Sequence, residues 1–473
     1  MVARAAREPG LHSSLHSGTS PHDVMQQRLL ALQQRLLAIA RAVWTAVLLL
    51  LAALRIRRTD DEPPADTPAS PAALPPTLAS NAPASPALAS ADAPLHPLAL
   101  TADEFAAAAS ARLGRGGVLA RALYRDYHRD GTLSAVRARE LQQAPALAAQ
   151  LCALCAGAPP LALADGAAAP APGATEKYVL RTRDGYEVEM VAMPAPGAAG
   201  EWSLCVSSQV GCRQGCAFCE TGRLGLLRDL SAAEIASQVA HARHSLGLRV
   251  RSVVYMGMGE PLDNVVEVIQ SIRVLTDSSG LGVAMSQVTV STAGEARHVY
   301  SLVGALPRVR MAFSIHFADD ATRSRLMPIN RRFNLDEFGR AISHYIETTK
   351  RRATVQYTLL AGENDALADA DALAGLLREI APAERLHVNL IPYNWQSEPR
   401  RFETPTEAAC KAFKERLVKE HGYFVKLRET RGADKMAACG QLGNVALRKR
   451  GGGGGGARRP PLADVAPGVD LSW

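Results

Sequence analysis

The chain has 473 residues and a formal charge of +7, from 53 Lys and Arg against 46 Asp and Glu. Hydrophobic residues make up 47% but aromatics only 5%, so alanine, which buries little, inflates the apolar share. The 21% charged fraction and eight cysteines exclude a wholly disordered chain, a collagen, a multi-span membrane protein and a disulfide-stapled secreted scaffold, while the positive balance hints at a polyanionic partner.

Residues 1–58 mix arginines with apolar side chains. The apolar run 42–54 is flanked by Arg41, Arg55, Arg57 and Arg58. It is shorter than the roughly 18 residues of a spanning helix and too far from Met1 for a signal peptide. A surface anchor, an arginine-rich targeting segment and an extension without a folded role all fit, and no stable membrane insertion is expected. Residues 59–98 are dense in Pro, Ala and Ser, which reads as a linker. A small helical domain follows over 99–165. Thr101 and Glu104 make a capping box at its start, and helical patterning runs through 118–128 and 135–154. Its arginines (Arg112, Arg115, Arg121, Arg125, Arg129, Arg137 and Arg139) form either a solvated face or an RNA-binding one. Cys152 and Cys155 lie there among Ala and Leu and read as buried structural cysteines.

From Lys177 the pattern changes. Two alternating segments, 178–181 and 187–193, flank Asp184-Gly185, which predicts a β-hairpin within an extension over 176–204. Strands are then expected at 250–256, 288–291, 311–316, 355–360, 387–391 and 424–427. Helices are expected at 232–246, 265–276, 335–349, 366–380 and 406–421. Alternation with short connections implies an α/β fold built on a parallel sheet, an open or partial barrel of about six units over 205–450. Ligand contacts then belong at the C-terminal ends of the strands. The glycine run 451–456 opens a tail, 451–473, that reads as disordered.

The most informative feature is Cys212-x-x-x-Cys216-x-x-Cys219 in a glycine-punctuated loop. Three thiolates at this spacing suit three irons of a cubane cluster and leave one iron open. Zinc is the first alternative, although zinc sites favour paired C-x-x-C or Cys/His sets. Further on, Gly257-Met-Gly259-Glu260-Pro follows a strand. Ser291 ends the next one, Ser314-Ile315-His316 the one after, and Asn394 follows Ile391-Pro392.

The cysteine loop resembles those of radical SAM enzymes. The resemblance implies a 4Fe-4S cluster whose free iron binds S-adenosylmethionine (SAM), with Gly259, Glu260, Ser291, Ser314, Ile315, His316 and Asn394 as SAM contacts. Cys205-Val-Ser-Ser-Gln-Val-Gly-Cys212, the turn at 257–262, Asn389-Leu-Ile-Pro and Ala438-Cys439-Gly-Gln-Leu442 together look like the RlmN/Cfr family, over about 101–450. That family methylates adenine carbons in 23S rRNA and, for some members, tRNA. The resemblance implies two SAM per turnover, a methyl group carried on Cys439, a transient protein–RNA crosslink, Glu189 as base and Cys205 as resolving thiol. Only the resemblance prefers Glu189 over Glu187 of the same hairpin. It also implies an external one-electron reductant, a monomer and a cytoplasmic location. After Cys219 the chain reads E-T-G-R-L-G-L-L-R-D-L, unlike the Ser/Ala-Thr start of typical C2 enzymes. Methylation at C8 and a radical SAM reaction on a non-RNA substrate stay open as alternatives. The clusters Arg331-Arg332, Lys350-Arg351-Arg352 and Arg448-Lys449-Arg450 are further RNA-contact candidates.

Overall fold

The computed structural model describes residues 93–133, 137–155, 159–394, 401–429, 432 and 435–443. The extension 1–58, most of the linker, the cluster Arg448-Lys449-Arg450 and the tail 451–473 lie outside them. No helix among the described residues is long and apolar enough to cross a membrane.

The helical module contains α1 (Ala102–Leu113), α2 (Gly117–Asp130), α3 (Arg139–Gln142) and α4 (Pro145–Ala153). The expected capping box opens α1. Thr101 Oγ1 accepts from the Glu104 N–H, and Glu104 Oε2 accepts from the Thr101 N–H at 2.8 Å. Ala120, Leu123, Tyr124, Tyr127 and His128 share one face of α2 and are buried, as a 3.6-residue period requires. Tyr124 packs against Phe105 of α1, with ring centroids 5.8 Å apart. Two boundaries differ from the sequence reading. Leu95, His96 and Leu98 are buried, and Leu95 bridges to Cys155, so packed chain begins inside the segment read as linker. The helical domain also ends before 165, because 161–163 is already a strand of the main sheet. Cys152 and Cys155 are half-buried rather than fully buried, and Cys155 donates its thiol to Leu151 O.

The sheet strands begin with β1 (Leu161–Leu163), β2 (Glu176–Thr182), β3 (Glu187–Pro194) and β4 (Glu201–Cys205). A small ribbon of β5 (Gln209–Gly211) and β6 (Leu226–Asp229) encloses α5 (Glu220–Leu224). Alternating helices and strands follow: α6 (Ala232–His244), β7 (Arg249–Tyr255), α7 (Val265–Thr276), β8 (Val288–Thr292), α8 (Ala296–Ala305), β9 (Arg310–Ser314), α9 (Asp320–Leu326), α10 (Leu335–Thr349), β10 (Ala353–Leu359), α11 (Leu367–Ile380), β11 (Leu386–Pro392), α12 (Glu407–Lys419) and β12 (Phe424–Leu427). One ten-stranded sheet runs in the order β1-β2-β3-β4-β7-β8-β9-β10-β11-β12. Neighbours are antiparallel from β1 to β4 and parallel from β4 onward. This is the α/β partial barrel expected from the alternation.

The hairpin is not a separate extension, however. It continues through β4 into the parallel sheet, so the expected boundary at 205 falls on the last residue of the first parallel strand. Cys205 therefore closes a strand. Helices cover the parallel strands with apolar faces. On α10, Phe338 and Tyr345 set their rings 5.8 and 5.6 Å from Phe313 of β9. Each such side chain, fully buried, contributes about 1.5–3 kcal/mol. The strand topology gathers the C-terminal ends of β4 and β7–β11 along one rim.

Candidate active site

The three cysteines of the loop stand between β5 and α5. Cys212 N donates to Gly225 O at 3.0 Å, Cys219 N donates to Cys216 O at 3.1 Å, and Ala217 N reaches across to Leu326 O of α9 at 2.9 Å. Gly211, at φ 81°, permits this turn, because a Cβ there would lie 1.9 Å from Gly225 O. Cys216 packs with Phe218, Phe317, Leu326, Met327 and Tyr393 in a small apolar cluster. All three cysteines are free thiols. Burial pushes the Cys216 thiol up to about 12, with Cys219 adding to the rise and Arg323 opposing it. Burial likewise raises Cys212, reinforced by Cys216 and Cys219, and raises Cys219. Among the described residues, no three His, Cys, Asp or Glu side chains converge as a single-ion site would need. Three thiols on one short loop suit a cluster in which each sulfur takes its own iron.

The Gly-Glu turn abuts this loop. Its two glycines allow close approach, but to the protein's own chain. A Cβ on Gly257 would lie 2.7 Å from the Val206 carbonyl, and one on Gly259, at φ 103°, would lie 2.6 Å from Gln209 Cβ. Glu260 is buried. Its Oε1 accepts from Leu262 N at 3.0 Å and its Oε2 from Ala293 N at 2.7 Å. Burial, with Asp263 nearby, pushes this carboxyl up to about 8.

The other rim residues gather beside it. Ser291 Oγ and Ser314 Oγ, on adjacent strands, are 3.5 Å apart. Ile315 is fully buried, so only its backbone faces polar partners. His316 has φ 58°, an uncommon conformation for a non-glycine residue. It is held there because Nδ1 accepts from Thr358 N at 2.9 Å and its carbonyl accepts from Asn364 Nδ2 at 2.7 Å. Burial, helped by Arg323, lowers its pKa to about 3, so the ring is neutral with its proton on Nε2. Asn394 Nδ2 donates to Cys439 O at 3.1 Å and so ties the rim to the C-terminal loop.

Glu189, Cys205 and Cys439 come together at the first parallel strand. Cys205 pairs with Val191 of β3, and Glu189 lies two residues along β3, so Glu189 and Cys205 share one face of the sheet. Burial and the neighbouring Cys439 sulfur push the Cys205 thiol up. Cys439 itself is exposed. The segment around it is more firmly held than its polar, glycine-containing sequence suggests. Gly440 O accepts from Glu220 N at 2.7 Å, Leu442 O accepts from Thr221 Oγ1 at 2.5 Å, and Gly443 N donates to Glu189 Oε2 at 2.7 Å. The other oxygen of Glu189 pairs with Lys177 Nζ at 3.0 Å. Glu187 instead pairs with Arg181 near the hairpin tip, away from this convergence.

Sequence reasoning missed three residues here. Lys177 and Thr221 hold the loop and its carboxylate, and Arg323 lies fully buried behind the rim. No motif marks them, since each acts through a partner distant in sequence. Four of the helical-module arginines are paired within that module: Arg121 with Asp103, Arg125 with Glu140, Arg129 with Asp126, and Arg137 with Asp130. Arg332 lies 3.4 Å from the buried Glu295. These pairings leave less free charge for a polyanion than the composition alone implies.

Residues 206–374 match the family model of the Radical SAM superfamily. The chain is 36% identical over 363 residues to the "Probable dual-specificity RNA methyltransferase RlmN 1" of Protochlamydia amoebophila, covering 76% of this chain and 96% of that protein. It is 42% identical over 268 residues to the "Dual-specificity RNA methyltransferase RlmN" of Pelobacter propionicus, covering 57% of this chain and 74% of that protein. Its fold is similar to the crystal structure of a radical SAM methyltransferase from Sphaerobacter thermophilus, with 34% identity, TM-score 0.64, and coverage of 74% of this chain and 99% of the other.

Proposed function

The chain belongs to the RlmN/Cfr family of radical SAM RNA methyltransferases, and on that premise we propose that it methylates C2 of an adenine in 23S rRNA and in tRNA. Cys212, Cys216 and Cys219 hold the 4Fe-4S cluster, and Gly259, Glu260, Ser291, Ser314, Ile315, His316 and Asn394 form the SAM site. When bound, cluster and SAM together supply a carbon radical by reductive cleavage of a sulfonium, with the electron coming from an external donor.

The chain's own residues do the rest. C2 of adenine lies between two ring nitrogens and is electron-poor, so it does not attack a methyl donor. Cys439 carries the methyl group as a thioether instead, one SAM providing the methyl and a second the radical chemistry. Its exposure suits a sulfur that must meet both SAM and RNA. The adduct gives up one electron, and Glu189 takes the proton from its C2 carbon. The Cys205 thiolate then attacks the Cys439 sulfur: the S–S bond forms as the S–CH2 bond breaks, and the electron pair passes to the methylene, which takes a proton to become the methyl group. Two electrons from the external donor return the disulfide to two thiols. His316, neutral and with its proton on Nε2, presents a donor to SAM at the rim. The adenine must leave its stack to enter the barrel mouth. A cytoplasmic, monomeric enzyme fits this role.

The observation that carries the reading is the convergence on β3 and β4, where Glu189 accepts from Gly443 in the loop of Cys439 and shares a sheet face with Cys205. The test is anaerobic reaction of the reconstituted protein with 23S rRNA and tRNA, followed by nucleoside mass spectrometry. A methyl on adenine C2 that is lost in Cys439→Ala, together with RNA bound covalently to Cys205→Ala, is the expected result. A methyl at C8, or full turnover by Cys439→Ala, overturns it.

A further inference from the structure

Helix α9 follows the end of β9 and carries Arg323, which is 0% exposed. A buried guanidinium usually faces a carboxylate, since uncompensated burial of an ion costs several kcal/mol. Arg323 donates only to neutral acceptors. Nε bonds Ile315 O at 3.0 Å and Nη1 bonds Asn330 Oδ1 at 2.6 Å. Nη2 bonds Ala293 O at 2.7 Å and Ser314 O at 3.2 Å. The nearest acid, Asp320, is taken by Asn330 Nδ2 at 2.7 Å.

Two of these facts concern position. Ala293 follows β8, whereas Ser314 and Ile315 lie at and just past the end of β9, so one planar fork clamps two adjacent rim segments. The same helix holds the cysteine loop, because Leu326 O accepts from Ala217 N and Leu326 packs on Cys216. Arg323 lies one turn before Leu326 on that helix, and a guanidinium keeps its charge at neutral pH.

We propose that Arg323 is a positioning residue with two separable roles: its fork sets the spacing of the β8 and β9 rim that receives SAM, and its buried charge near the Cys216 loop raises the reduction potential of the cluster. The inference rests on the cluster reading of the three cysteines. A cubane with three thiolates gains one further negative charge when reduced. A fixed, desolvated cation next to one ligand favours that state, as net charge and surrounding hydrogen bonds do for iron–sulfur centres in general.

The test compares wild type with Arg323→Gln and Arg323→Lys after anaerobic reconstitution. It reads iron content, cluster potential by redox titration followed by electron paramagnetic resonance, and SAM affinity. Arg323→Gln removes charge and fork. At the wild-type midpoint its ratio of reduced to oxidised cluster should fall about tenfold, equivalent to about 59 mV for one electron, and SAM should bind at least tenfold more weakly. Arg323→Lys keeps the charge but not the fork, so the potential should hold while SAM affinity falls. Arg323→Lys also carries the test if Arg323→Gln fails to fold. A wild-type protein that takes up no iron refutes the cluster reading and this proposal with it. Iron-replete Lys and Gln variants with equal potential shifts, or Arg323→Lys with wild-type SAM affinity, refute the assignment of Arg323 alone.

Discussion

Replacing Glu189 by glutamine and by alanine separates two things that its carboxylate does. Glu189 is 2% exposed, and it accepts from Gly443 N at 2.7 Å and pairs with Lys177 at 3.0 Å. Alanine removes a charge-assisted hydrogen bond worth about 1.5–3 kcal/mol and strands a buried N–H. Lys177 is one-fifth exposed and can turn to water, so its loss adds little. Glu189→Ala should therefore open the loop about tenfold to a hundredfold more often. Glutamine keeps an acceptor for Gly443 and should cost about 1 kcal/mol. Hydrogen exchange over residues 435–443 reads this difference. Product analysis reads the other role. Neither variant has a base, so both should leave RNA covalently attached. Equal protection of the loop in the two variants would refute the anchoring argument. Release of methylated RNA by Glu189→Gln at the wild-type rate would refute the base assignment.

Three further outcomes are expected. Gly259→Ala places a Cβ 2.6 Å from Gln209 at a φ of 103°, so chemical denaturation should show at least about 2 kcal/mol lost, and an unchanged midpoint would contradict the close approach. Removing Cys212, Cys216 and Cys219 together should abolish iron uptake in a chain whose far-ultraviolet circular dichroism is kept; retained iron would place the cluster elsewhere. His128 of α2 is held neutral. Burial lowers its pKa to about 3, against a weaker opposing pull from Pro97 O, with His244, His96 and Arg243 adding to the fall. A folded pKa below the unfolded one gives stability that is complete above about pH 6.5 and is lost as the pH falls toward 3. The loss is about 1.4 kcal/mol per unit, or about 2 kcal/mol by pH 5. Acid titration of the helical module should show that slope, and His128→Gln, which keeps a donor for Pro97 O, should flatten it.

Much of the barrel is legible because local signals agree with the fold. The segments 265–276 and 335–349 become helices with those bounds, and Asn334 and Glu337 cap the second. Helices α8 and α9 leave weaker traces. No side chain caps α8, and α9 has only seven residues. Strand β4 is hidden because five residues must serve as both the last antiparallel and the first parallel strand. The linker composition conceals Leu95, His96 and Leu98, since an average over Pro, Ala and Ser cannot register a short apolar anchor. In the site, spacing alone exposes the cysteine loop and the Gly-Glu turn. The need for Gly257 and Gly259 is also readable, but not its cause, which is Val206 and Gln209 across the sheet. Arg323 is illegible for a related reason: its importance comes from acceptors on three separate segments, which only folding assembles.

The contacts that close the reactive loop also set a schedule. Thr221 bonds Leu442 across 221 residues and Glu189 bonds Gly443 across 254. Such distant pairs form late, because ring closure of that length has to be offset by structure already in place. At about 5–20 residues per second, Cys212, Cys216 and Cys219 are made roughly 10–45 s before residue 442. For that interval the loop lacks its cover from 440–443, although the side chains of Phe317, Leu326 and Tyr393 are made in the meantime. An assembly system delivering iron and sulfide thus meets the loop before its last cover exists.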